Sequence, residues 1–401
     1  MTKKQSNLWW GSPANFSERK NERKVSWLEL FYDLVYVAAI GQLTQRIAAG
    51  PSWEVLGTSF LLFSLLFWSW VNGSQYYDLH GKDSIRSRLL TFWQMLAVAA
   101  SAITIHDVFE GHRLGFAISF SVIQGVVLYL WWSVGLYDPS HRVFNKYYSI
   151  NYGIAFILLI LSAFTGGQMT LLLWILVLVL NLTAPLIAAR TVVSVLKKRG
   201  EEFTASATIV ERFGLFTIIV LTESILSVVS GVAAVKDKHP AIWIAFILGI
   251  LIAFLLWSLY FDMTSEQETK KGYSYMQWLV FLHFPLLASL SITGACIKVL
   301  ISGVEAGFPP KVQWIFCGSL STILFMIVAL SRIMQEDEED RAYIRPVSVW
   351  LVYAGLCIGI LPLWGKHLSA LPFLAIIALI LFVPVFIGIR SWVRYKFFGR
   401  H

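Results

Sequence analysis

The sequence predicts an all-α protein, a polytopic transmembrane helix bundle of about 12 spans, on three observations. Mean hydropathy is +0.66, and 57% of the 401 residues are apolar while only 14% are charged. Soluble domains carry about 25% charged residues. The apolar residues fall into runs of about 20, the length at which a helix crosses the hydrocarbon of a bilayer. Lys and Arg cluster between alternate runs, which indicates a chain that crosses the membrane repeatedly.

Twelve apolar runs, each bounded by charged residues, glycine or proline, are long enough for one spanning helix. Their continuity favours helices over the alternating pattern of membrane strands. The fifth and eleventh runs are the shortest, so the count holds to within one or two. The predicted spans are roughly 27–49, 54–77, 88–106, 114–136, 147–165, 168–190, 207–231, 240–262, 275–300, 311–333, 347–364 and 368–391.

The basic residues test this count independently. Of the 32 Lys and Arg residues, 24 lie in the N-terminal tail, in the loops after even-numbered spans and beyond the last span. Seven lie on the other side, and Arg212 falls inside span 7. The positive-inside rule then predicts that both termini lie in the cytoplasm. Residues 1–26 form a cytoplasmic tail without the apolar core of a signal peptide, so span 1 is expected to start insertion.

Similar segments recur at a shift of about 180 residues, which predicts a parallel 6+6 repeat with halves 27–200 and 201–401. Glu29 opens span 1 as Glu211 opens span 7. Trp70 and Asp78 close span 2, and Trp257 with Asp262 closes span 8. Asp138 repeats the pattern after span 4. The alternative is that Trp and Tyr are simply common at membrane interfaces.

Charged residues inside spans are candidates for a transport or ion path, because a charge at the bilayer centre costs at least about 2.5 kcal/mol. Glu29 and Asp33 lie on one stripe of span 1 that must face protein or water. Their position near a helix N-terminus also suits a structural role, in which dipole-stabilised acids pair with Lys24 or another cation at the inner face.

Span 7 carries Glu211 and Arg212 near its start, with Thr222 and Glu223 deeper. Arg212 and Glu223 share a face but lie too far apart to pair within the helix. Glu223 is either a site residue or a buried acid with a packing partner. His283 precedes Pro285 in span 9, where an imidazole either shuttles protons or bonds neutrally to a neighbouring helix.

No cofactor, metal site or catalytic residue is expected, because metal-ligand spacing, phosphate-binding glycine loops and nucleophile elbows are absent from the sequence. The three cysteines lie in apolar runs, which does not suggest disulfides. The net charge of +8 is explained by a basic face against anionic lipid, so nucleic acid is not an expected partner. The expected partners are the lipid bilayer and an unknown small solute or ion, and a homo-oligomer is left open.

Three segments carry a resemblance to a known family. They run from Trp27 to Val37, from Glu211 to Ser224, and from Tyr273 to Trp278 with Leu282-His283-Phe284-Pro285. In this order they resemble the signatures of the bacterial low temperature requirement A (LtrA) family. The resemblance implies a bacterial multi-pass protein of the cytoplasmic (inner) membrane that is linked to growth in the cold. It implies neither a substrate nor a reaction.

Three functions follow as expectations. A transporter for a solute or ion, with proton coupling as one version, is favoured by the span count, the repeat, and Glu223 and His283 near the midplane. A cation channel of two six-helix repeats is the first alternative. An intramembrane lipid-active enzyme is the second, because the residues that close spans 2, 4 and 8 lie where lipid head groups are reached.

Overall fold

The computed structural model describes residues 12–14, 24–82, 84–138, 142–199, 205–264, 268–304, 309–335, 338–365 and 368–398. Most of the predicted tail 1–26 therefore lies outside the described residues. The described residues form helices and no strand, as the sequence predicts. In chain order the helices are α1 (Trp27–Ala49), α2 (Trp53–His80), α3 (Ile85–Phe109), α4 (Leu114–Tyr137), α5 (Arg142–Ser162), α6 (Gly167–Arg199), α7 (Ala207–Ala233), α8 (Pro240–Thr264), α9 (Tyr273–Ser302), α10 (Pro310–Ile333), α11 (Glu338–Ile360), α12 (Pro362–Gly365) and α13 (Ala370–Phe398).

Ten helices in the described residues are long and apolar enough to cross a membrane, which makes this a multi-pass membrane protein. The other two long helices, α1 and α5, have a lower apolar content. Glu29, Asp33 and Arg46 lower the hydropathy of α1, and the first turns of α5 contain Arg142 and Lys146. Length and composition thus support ten of the twelve predicted spans.

The helices extend past the apolar runs that predict them. α6 continues to Arg199 and α13 to Phe398, because the backbone hydrogen bonds of a helix can continue into the polar residues that follow an apolar run. Ser84 caps α3 by accepting a hydrogen bond from the Ser87 backbone N at 3.2 Å. Gly111, with φ of 92°, occupies a left-handed conformation in the turn between α3 and α4.

The chain divides into two compact units. The first comprises Met1–Gln42, Gly57–Arg212 and Lys271–Tyr273, and within it α3 packs on α4, α4 on α5 and α5 on α6. Its core is rich in aromatic side chains, such as Trp131 stacked on Tyr148 with ring centroids 4.7 Å apart. Such packing between helices replaces the hydrophobic driving force that lipid does not provide.

The second unit comprises Leu43–Leu56, Phe213–Lys270 and Ser274–His401. Within it α8 packs against α10 and α13, and α11 packs against the same two helices. α7 and α9 approach closely through small residues: Gly294 faces the backbone of Ser224. Small residues at such contacts let membrane helices pack by their backbones.

Gly294→Ala is therefore expected to reduce the free energy of unfolding by about 1–2 kcal/mol, because overpacking forces backbone shifts. A Cβ at this position would lie 3.0 Å from both Cα and Oγ of Ser224. Gly318→Ala in α10 is the matched control, since a Cβ there has no atom of the described residues within 4 Å. Denaturant unfolding in detergent measures both variants, and equal loss in the two would contradict this role for Gly294.

Candidate functional site

A cluster of buried charged residues lies inside the first unit, where α1, α2 and the start of α7 meet. Arg212 donates to Asp33 from Nη2 at 2.8 Å and from Nε at 3.2 Å. Asp33 Oδ1 also accepts from Trp70 Nε1 at 2.6 Å. The Asp33 side chain is 0% exposed and that of Arg212 1% exposed, so water does not screen this ion pair.

Glu29 joins the cluster one turn before Asp33. Its Oε1 lies 3.7 Å from Arg212 Nη1, and its Oε2 accepts hydrogen bonds from Ser26 N and Oγ at 2.8 and 2.9 Å. The Glu29 backbone N returns a bond to Ser26 Oγ at 3.3 Å. This reciprocal pair is a capping box, which begins α1 at this point and fixes the carboxylate beside the guanidinium.

Aromatic rings surround the guanidinium of Arg212. It lies 5.3 Å from the ring centroid of Tyr32 and 5.9 Å from that of Trp70, within cation–π range. The Tyr32 hydroxyl donates to the Tyr36 hydroxyl at 3.2 Å, and Ser69 Oγ donates to Tyr36 at 3.0 Å. The charged cluster thus continues into a chain of buried hydroxyl groups between α1 and α2.

The cluster forms the base of a cavity of about 610 Å³ in the first unit. The buried residues Glu29 and Arg212 line it, and the exposed residues Lys82 and Arg88 lie at its rim. The other lining residues are apolar, aromatic, hydroxyl-bearing or glycine, namely Ser26, Trp27, Leu28, Phe31, Tyr32, Tyr77, Gly81, Ser87 and Thr91. A cavity with a charged base and convergent polar groups has the features of a small-molecule site.

Arg212 keeps donor capacity at the cavity base. The described residues offer no hydrogen-bond partner to its Nη1, although Nη1 is buried. A guanidinium has five N–H groups, and its bonds to Asp33 use only Nε and Nη2. The Nη1 group is therefore oriented toward Glu29 at ion-pair distance and remains able to donate to a ligand.

Buried amide side chains extend the polar interior of this unit. Tyr152 donates its hydroxyl to Asn72 Oδ1, and Gln124 and Asn181 exchange bonds at 3.2 Å. Gln94 is 0% exposed, and neither of its amide atoms has a partner among the described residues. These amide residues are not among the predicted site residues, which were singled out by charge, although amides inside apolar runs are a readable signal in the sequence.

The other candidates in the first unit lie apart from the cluster or act locally. Glu211 is exposed on α7 beside the buried Arg212. Asp78, half-buried, accepts a hydrogen bond from Ser206 Oγ. Asp138 is buried at the end of α4, where its backbone N donates to Val134 O at 2.8 Å. Among the predicted helix-end residues, Trp70 contacts the charged cluster through its bond to Asp33.

The remaining candidates belong to the second unit. His283 is buried, with Nε2 2.8 Å from the Tyr260 hydroxyl and Nδ1 2.7 Å from Leu279 O. Both ring nitrogens are thus occupied by neighbours. Glu223 is half-buried and interacts electrostatically with Lys298 of α9.

Two further candidates of this unit make bonds within their own helices. Thr222 is exposed, and its hydroxyl donates to Ile218 O at 3.1 Å. Asp262 is exposed and accepts from Ser258 Oγ at 2.8 Å, and it also hydrogen-bonds Tyr343 of α11. No group of three or more His, Cys, Asp or Glu side chains that could hold a metal ion occurs in the part of the chain that the structure describes.

Two comparisons with known proteins bear on this arrangement. A family model described as bacterial low temperature requirement A protein (LtrA) matches residues 24–391. The uncharacterized protein RA0937 of Rhizobium meliloti (strain 1021) is 26% identical over 290 residues, which is 69% of either chain. The family match includes the cluster residues and all three segments on which the resemblance rests.

Proposed function

Because the chain belongs to the bacterial low temperature requirement A family, we propose that it is a transporter whose small solute or ion passes the Glu29–Asp33–Arg212 cluster. One observation carries this proposal: three charged side chains, each at most 7% exposed, meet where α1, α2 and α7 come together, and two of them, Glu29 and Arg212, line a cavity. Charges in such positions are costly, and where proteins keep them they mark substrate and ion pathways.

The membrane arrangement is part of the same proposal. α1 and α5 cross the bilayer with the ten more apolar helices, giving twelve spans in two parallel halves, 27–200 and 201–401. The pairing of Asp33 with Arg212 supports a transmembrane α1, because a neutralised pair costs less to insert than a lone charge. The distribution of Lys and Arg supports cytoplasmic termini in the inner membrane. The cavity then opens toward the cytoplasm.

The link to cold follows from the family's description. We propose that the protein supports growth at low temperature, since membranes stiffen on cooling and transport then becomes limiting.

Glu29→Gln is the sharpest test of transport. Glutamine preserves the capping box with Ser26 but removes the charge beside Arg212. Purified protein in liposomes is expected to move ions or protons down imposed gradients, recorded as current and internal pH, and the variant is expected to lose at least about 90% of that flux. This loss corresponds to about 1.4 kcal/mol in the barrier to transport.

Glu54→Gln is the matched control, because Glu54 is an exposed acid in the first turn of α2. Glu223→Gln, assayed beside it, asks whether the acid of the second unit belongs to the path. Flux that depends on a pH gradient supports a proton-coupled transporter, while ohmic current without coupling would replace the transporter by a channel. Full flux in Glu29→Gln would remove the cluster from the path.

A further inference from the structure

We propose that the cavity above Arg212 binds an anionic group with the chemistry of a phosphate. If the anion is the transported substrate, the proposal rests on the proposed function. Anion binding itself can be tested without any assay of transport. The proposal begins with Arg212 Nη1, a buried donor that lines the cavity and has no hydrogen-bond partner within the described ranges. A buried N–H group without a hydrogen-bond acceptor carries a desolvation cost, which an anionic ligand that accepts from it would remove.

The charged residues that line the cavity indicate the charge of the ligand. Among the described lining residues, Lys82, Arg88 and Arg212 are cationic, and Glu29 is the carboxylate. Asp33, behind Arg212, adds a second carboxylate, and its oxygens already accept three hydrogen bonds from Arg212 and one from Trp70. Among these described residues, cations exceed carboxylates by one, which favours an anion over a cation as the ligand.

The arrangement of the cations selects an oxyanion. Lys82 and Arg88 lie exposed at the rim, where they attract an anion from water, and Arg212 lies buried at the base. Guanidinium N–H groups bond phosphate oxygens with matching geometry, and several cations around one group suit a multiply charged anion. The hydroxyl-bearing residues Ser87 and Thr91 also line the cavity.

The phosphate has two possible sources, a soluble phosphate or a phospholipid head group. Trp27 and Phe31 line the cavity and are 87% and 57% exposed, so an apolar surface adjoins the polar base. A head group would enter with its acyl chains beside these rings, whereas a soluble phosphate needs only the polar part. The experiment separates the two sources by offering each alone.

The first arm measures inorganic phosphate binding to the purified full chain in a maltoside detergent by titration calorimetry at two salt concentrations. The second arm measures retention of phosphatidylglycerol by native mass spectrometry after incubation with that lipid alone. The double variant Lys82→Gln/Arg88→Gln is expected to weaken binding about tenfold, and its residual binding to depend less on salt, because exposed charges are screened. Lys271→Gln is the matched control, an exposed lysine outside the cavity.

Arg212→Lys tests the base directly, since lysine keeps the charge that Asp33 needs but lacks the Nη1 fork. We expect at least tenfold weaker anion binding in this variant. If Arg212→Lys does not fold, the double variant Lys82→Gln/Arg88→Gln tests the proposal instead. Phosphate binding with these losses assigns a soluble anion, and lipid retention without phosphate binding assigns a head group. The absence of both, or equal weakening by Lys271→Gln, overturns the proposal. Flux in liposomes without any anion binding refutes this inference alone, whereas binding without flux refutes only the proposed transport.

Discussion

Asp33→Asn is expected to reduce the free energy of unfolding by roughly 3–5 kcal/mol, the usual cost of removing one partner from a buried ion pair. Asparagine has nearly the same shape and still offers Trp70 an acceptor, so the loss isolates the charge. Arg212 would keep its charge at 1% exposure with Glu29 as its remaining acidic neighbour, 3.7 Å away. Unfolding of the purified protein by denaturing detergent in mixed micelles measures the difference.

The double variant Asp33→Asn/Arg212→Gln provides the decisive comparison. Removing both charges also removes their desolvation cost, so most of the lost stability is expected to return. Asp237→Asn serves as the surface control, since this exposed acid lies in the turn between α7 and α8 and its substitution should change stability by less than about 0.5 kcal/mol. A double variant that loses the sum of the two single losses would show that the residues act independently and that the pair is not the structural unit.

Gly73→Ala is expected to reduce the free energy of unfolding by about 2–3 kcal/mol, because α1 and α2 approach closely at this glycine. A Cβ at position 73 would lie 2.2 Å from the Tyr32 hydroxyl oxygen and 3.1 Å from the ring carbon that bears it. The Tyr32 ring is rigid, buried and bonded to Tyr36, so it moves only with its surroundings. Its displacement also disturbs the ring over which Arg212 lies.

Gly57→Ala in the same helix separates this clash from a general effect of alanine. A Cβ at position 57 has no described atom within 4 Å, so the variant should be neutral or slightly more stable through better helix propensity. The same unfolding assay compares both, and the liposome assay should show reduced flux in Gly73→Ala only. Equal stability of the two variants would mean that Tyr32 relocates freely and that its position does not support the site.

The helices were predictable because apolar runs of about 20 residues leave a chain few alternatives in a bilayer. α1 begins at Trp27 and ends at Ala49, the bounds that its apolar run predicts. The ends of α2 and α6 were harder, since helices continue into polar residues that hydropathy excludes. The family resemblance is confirmed over residues 24–391.

The charged residues of the site were predictable from the sequence, but the ion pairs that they form were not. The cost of burying charge singled out Glu29, Asp33 and Arg212, which the structure brings together. Asp33 and Arg212 are 179 residues apart, and helix periodicity relates only residues of the same helix. A single sequence therefore could not show that these two residues form a pair. The capping box of Ser26 and Glu29 was readable from spacing alone. The cavity depends on how the helices pack against one another, which local sequence patterns do not determine.

The burial of the charged cluster has a consequence for how its stability depends on temperature. The hydration of ions carries a strongly negative entropy, so the penalty for keeping charges away from water grows as the temperature falls. Asp33, Arg212 and Glu29 are held with almost no solvent contact. Letting water reach the cavity base therefore becomes less costly in the cold, at the same time as the surrounding lipid becomes stiffer. On cooling, the free-energy cost of hydrating this cluster is therefore expected to fall, while the order of the surrounding lipid rises.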